Sequence, residues 1–110
     1  MTQRIPKVES LVQHTVAAAL VTELERDAAT VTVTRVDVSP DLRHAIVWLG
    51  LLGPKKDHER ILKLIGEHQY SLQASVAKHM RTKFVPRLIF RPDGGGAYAA
   101  EIERLLRKIP

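Results

Sequence analysis

Residues 30–39 read Thr-Val-Thr-Val-Thr-Arg-Val-Asp-Val-Ser, and no other stretch narrows the possible folds as far. β-Branched side chains dominate it. They are stiff at χ1, poor in helices and well suited to a pleated surface, so the run predicts a strand. Pro40-Asp41 then begins a turn. Residues 44–51 predict a second strand, which makes the pair an antiparallel hairpin, and Gly53-Pro54 stops it. Period-two counting places Thr34, Val36, Val38, Ala45, Val47 and Leu49 on one face. It places Val31, Val33, Arg35, Ile46 and Trp48 on the other.

A hairpin alone is too small to fold, so its apolar face needs a cover. Helical spacing of Val8, Val12, Val16, Ala19, Leu20 and Leu24 supplies one helix before it, with Pro6 in the first turn. The same spacing returns after it at Ile61, Leu62, Ile65, Leu72, Val76 and Met80. Gly66 interrupts that stretch and predicts a break there, because glycine weakens a helix interior. Residues 84–90 predict a third strand with Pro86 at its start or on an exposed edge, adding Leu88 and Phe90 to the helix side and Arg87, Ile89 and Arg91 to the other. A Gly-rich link (Gly94, Gly95, Gly96) leads to a short C-terminal helix over residues 98–107. The expected fold is α+β, a two-layer α-β-β-α-α-β domain with a short C-terminal helix, one sheet face under the helices and the other only partly covered.

The charge is uneven. Residues 1–67 carry nine Lys/Arg against nine Asp/Glu, and residues 68–110 carry eight against three, so the net charge of +5 sits in the C-terminal part. A basic half points to a polyanionic partner, against the plainer reading of a solvated basic surface. The absence of cysteine excludes disulfides and thiolate metal sites. No apolar run is long enough to span a bilayer, and the first residues do not read as a signal peptide, so a cytoplasmic protein with no membrane partner is expected.

Two segments, in this order, carry a family resemblance. One runs from Val31 through Val38-Ser39-Pro40-Asp41-Leu42 into Ala45-Ile46-Val47-Trp48-Leu49. The other is Met80-Arg81-Thr82-Lys83-Phe84-Val85-Pro86-Arg87-Leu88-Ile89-Phe90, with Asp93 beyond it. Together with Arg4, Val8, Leu11 and Leu20 in the opening helix, they resemble the ribosome-binding factor A family across nearly the whole chain. The resemblance implies a KH-like RNA-binding domain over residues 1–93, with residues 94–110 as part of the same domain. It implies a monomer whose partners are the small (30S) ribosomal subunit, near its neck, and 16S rRNA. Such a protein assists late rRNA maturation, including 5′-end processing, without catalysis, matters most in the cold and leaves before translation starts. The alternative is a KH-like protein acting on a non-ribosomal RNA. Two departures stand out. The family joins its RNA-binding helices at an Ala-x-Gly kink, where gapless alignment from Val85-Pro86 puts His68-Gln69-Tyr70; and the acidic residue common after the proline is Arg87.

The candidate RNA contacts are cations: Lys78, Arg81 and Lys83 at the end of the third helix, Arg87 and Arg91 on the last strand, and Arg4 and Lys7 at the start of the first helix. Phosphate contact competes with a simple helix-dipole role for those at the helix end. Gly50-Leu51-Leu52-Gly53 matches the Gly-x-x-Gly of RNA-clamping loops, but it follows a strand and reads more simply as a strand exit. Trp48 reads either as a base-stacking residue or, preferably, as packing beneath the C-terminal helix. The five histidines show no metal-ligand spacing, and no Ser/His/Asp or phosphate-loop pattern is present, so neither a catalytic residue nor a metal, cofactor or small-molecule substrate is expected.

Overall fold

A computed structural model describes residues 4–80 and 85–93 of the chain; the link and helix expected after residue 93 lie outside them. The elements are α1 (Arg4–Leu24), a 3₁₀ turn (Glu25–Thr30), β1 (Val31–Val38), β2 (His44–Leu51), α2 (Lys55–Glu67), α3 (Gln69–His79) and β3 (Arg87–Pro92). The sheet order is β1-β2-β3, with β1 antiparallel and β3 parallel to β2. The expected α+β two-layer order therefore holds. The apolar stripe of α1 buries Val12, Val16, Ala19 and Leu20 against Val36, Val38, Val47 and Leu49 of the sheet. Ile61 and Ile65 of α2 and Leu72 and Val76 of α3 complete the same core.

One irregularity reverses part of the face assignment. Val33 lies opposite Leu49 but Arg35 lies opposite Trp48, so Thr34 is an extra residue in β1. Such a bulge moves every residue on one side of it to the other face. Val31 and Val33, expected away from the helices, pack against the core, while Thr34, expected toward them, is exposed. The Thr34 hydroxyl sits 3.2 Å from the Trp48 carbonyl and 2.9 Å from an Asp93 carboxylate oxygen.

The far face is more closed than alternation predicts. Ile46 is 0% and Trp48 3% exposed. The Trp48 indole N–H donates to Asp37 at 3.0 Å, and Arg35 grips the other carboxylate oxygen at 2.9 and 3.1 Å. Trp48 is thus a packed, hydrogen-bonded residue with no face open to a base. Gly50 is a strand residue beside Thr32, and Gly53 turns the chain at φ +87°, so the Gly-x-x-Gly match is a strand exit.

The β1–β2 turn is tied by its own side chains. The buried Ser39 hydroxyl donates to Asp41 at 2.6 Å and accepts from the His44 N–H at 3.0 Å. Asp41 also accepts from the Arg43 N–H at 3.1 Å. The Ser39 and Arg43 hydrogen bonds hold its carboxyl below the usual aspartate range. The Ser39 and Asp41 side chains and the His44 backbone N–H together tie the turn.

Two boundaries differ from expectation. β3 begins at Arg87 rather than residue 84. Pro86 lacks an N–H for the ladder and lies buried just ahead of the strand, where the Arg87 N–H makes the first bond, to the Arg43 carbonyl at 2.8 Å. The central helix does not break at Gly66, which lies within α2. It breaks at His68, with φ −95° and ψ 9°, whose N–H is shared between the Leu64 and Ile65 carbonyls at 3.1 Å each. The joint therefore falls where gapless alignment puts the family's kink. At the joint the His68 Nδ1–H donates to Glu23 of α1 at 2.9 Å. That ties the joint to the first helix.

A Cβ at Gly66 would meet no atom within 4 Å. Gly66→Ala is therefore expected to raise stability by ~0.5–1 kcal/mol, read as a higher Tm by circular dichroism. A lower Tm would restore Gly66 as the joint.

Candidate nucleic-acid interface

β3 is an edge strand, and an edge leaves alternate backbone groups without a ladder partner. Two glutamines of α3 fill part of that gap. Gln73 accepts from the Leu88 N–H at 2.8 Å and donates to the Pro86 carbonyl at 2.9 Å. Gln69, one turn earlier, donates to the Leu88 carbonyl at 3.0 Å. The helix is thus held against the strand by amide groups that imitate a neighbouring strand. The sequence signal was present and went unread: Gln69 and Gln73 are four residues apart and flank the core residue Leu72.

Beyond these bonds the edge opens into a groove of about 490 Å³ between the α2–α3 joint and β3. Leu62, Gly66 and Gln69 line its helical wall, and Arg87, Phe90 and Arg91 line its strand wall. The described lining residues include two arginines and no carboxylate. Both arginines are exposed, and strand alternation puts them on the same side of β3. Arg91 spends one N–H on the Phe90 carbonyl at 3.0 Å, leaving the rest of its fork for a ligand. A trough with a bare glycine on one side and guanidinium groups on the other suits a phosphodiester chain, because the backbone can approach closely and the charges match.

The other expected contacts fall differently. Lys78 lies exposed in the last turn of α3, outside the groove, and Lys7 lies exposed near the start of α1. Arg4 opens α1, with its side chain outside the description. Arg81 and Lys83 lie outside the described residues. Of the seven, the structure brings Arg87 and Arg91 together. Sequence reasoning missed Gln69, Gln73 and the role of Gly66 as groove wall. Among the described residues no group of three or more His, Asp or Glu is placed to hold a metal ion, and no described helix is long and apolar enough to cross a membrane.

The profile of ribosome-binding factor A matches residues 4–106. The chain belongs to the ribosome-binding factor A family. It is 38% identical over 108 residues to a ribosome-binding factor A of Novosphingobium aromaticivorans, covering 94% of this chain and 78% of that one. Against the Thermomicrobium roseum protein, 37% identical over 79 residues, the match spans 72% of this chain and 61% of the relative. In fold it resembles the solution structure of a putative ribosome-binding factor A from Thermotoga maritima (TM-score 0.74, 24% identity, 87% of this chain and 92% of that one). It also resembles coordinates of the Thermus thermophilus ribosome-binding factor A fitted into the map of a 30S complex (TM-score 0.56, 23% identity, 78% and 97%). Family membership fits a KH-like fold.

The glutamine clamp is directly testable. Gln73→Leu leaves the Leu88 N–H and Pro86 carbonyl unmatched and should destabilise the protein by ~1–3 kcal/mol. Urea denaturation would measure it. A change within ~0.5 kcal/mol would show that the edge does not need Gln73.

Proposed function

We propose that this chain binds the small (30S) ribosomal subunit through 16S rRNA, seating an RNA strand in the groove between the α2–α3 joint and β3. Arg87 and Arg91 contact phosphates inside the groove, Lys78 and Lys7 extend the contact outside it, and Arg81, Lys83 and Arg4 are further RNA contacts in the same reading. The observation that carries this reading is the groove itself, whose described lining offers two guanidinium groups and no opposing carboxylate at an open strand edge. Family membership and the relative fitted into a 30S complex support the choice of partner.

In this reading the protein is a cytoplasmic, monomeric assembly factor. Residues 1–93 form the RNA-binding domain, and residues 94–110 belong to it. Binding holds the RNA in a conformation that favours late maturation, including processing of the 5′ end, while other proteins do the chemistry.

Neutralising about four to six phosphates should give log K a slope of roughly −4 to −5 against log salt. Titration of purified small subunits at several salt concentrations measures it. Reversing Arg87 and Arg91 to Glu should weaken binding at least about tenfold and flatten the slope by about two. The fold should survive, since both side chains are exposed. Wild-type affinity and slope in the folded double variant would reject the groove as the site.

A further inference from the structure

The most exposed large apolar side chain among the described residues is neither on the sheet nor scattered at random. Tyr70 is 86% exposed and lies in the first turn of α3, two residues past the break at His68. Its neighbour Gln69 lines the groove, and so does Gly66, four residues earlier. Where the family's kink pattern ends in glycine, this chain carries a tyrosine. Core packing does not account for the position of this ring, which neighbours two groove-lining residues in the joint.

We infer that Tyr70 is a stacking platform for an unpaired base of the RNA held in the groove. This rests on the RNA-binding reading and adds to it the class of ligand, single-stranded RNA with a splayed base, and the residue that receives it. The placement fits. Helical side chains lean toward the N-terminal end of their helix, so Tyr70 leans back toward the joint. On that side Gly66 contributes no side chain, and even a Cβ there would touch nothing within 4 Å. The joint is held by the His68–Glu23 hydrogen bond at 2.9 Å, so the ring is presented from an anchored base. Across the groove Arg87 and Arg91 offer the phosphate contacts that a nucleotide on Tyr70 also needs. A tyrosine face accepts any base, so the contact adds affinity for unpaired RNA without reading sequence.

The test compares Tyr70→Ala, Tyr70→Phe and the Arg87→Glu/Arg91→Glu double variant in binding to purified small ribosomal subunits across a salt series. Stacking predicts that Tyr70→Ala weakens binding roughly 5- to 150-fold, that Tyr70→Phe binds like wild type, and that neither changes the salt slope. Wild-type binding by Tyr70→Ala, beside loss in the arginine variant, would overturn the stacking role and leave the groove reading standing. Wild-type binding by all three would overturn both. Tyr70→p-benzoylphenylalanine then identifies the partner by photocrosslinking on the subunit. An adduct with 16S rRNA is expected, and an adduct with a ribosomal protein alone would overturn the assignment to a base.

Discussion

Everything in this molecule depends on burying β2. Ala45 through Leu49 are five consecutive residues, each no more than 3% exposed, so the central strand is closed on both faces. Burying each large apolar side chain there contributes about 1.5–3 kcal/mol. The backbone of such a strand must be matched on both sides, antiparallel to β1 and parallel to β3. The parallel partner requires a crossover, and α2 and α3 are that crossover. The hairpin, the helical pair and the return strand therefore follow from one requirement.

The sheet then has two edges, and helical side chains treat both in the same way. On β1, Glu9 of α1 accepts from the Val38 N–H at 2.9 Å and Gln13 reaches the Val33 carbonyl at 3.3 Å. On β3, Gln69 and Gln73 of α3 do the equivalent work. Capped edges resist pairing with a second chain. The β3 cap covers only the start of the strand. Past Leu88 the edge is lined by Phe90, Arg91 and the glycine-bare wall of α2, and that unfilled part is the groove. The proposed site is the place where the edge protection stops.

Much of the fold was legible because its signals are local. β-Branched alternation placed β1 and β2, and the spacing of Val12, Val16 and Leu20 placed α1. The Ser39–Asp41 turn announced itself through residues that bond their own backbone. What was hidden is non-local or depends on a single extra residue. The bulge at Thr34 looks like any other threonine in the run, and only its bonding position against Trp48 and Asp93 distinguishes it. The helix break at His68 is tied to Glu23, forty-five residues away, whereas Gly66 carries the stronger local signal and merely leaves space. At the site, the arginines were legible as charge. The glutamines that position β3 were not, since an amide matching a strand edge has no signature beyond its spacing.

Amide hydrogen exchange on the complex with purified small subunits, followed by peptide mass analysis, tests the central claim most directly. Binding in the groove predicts slowed exchange in the α2–α3 joint and in β3, around Gly66–Tyr70 and Arg87–Arg91, with little change in β1 at the opposite edge of the sheet. Protection confined to β1 or to the outer face of α1, with the joint and β3 exchanging as in the free protein, would contradict it.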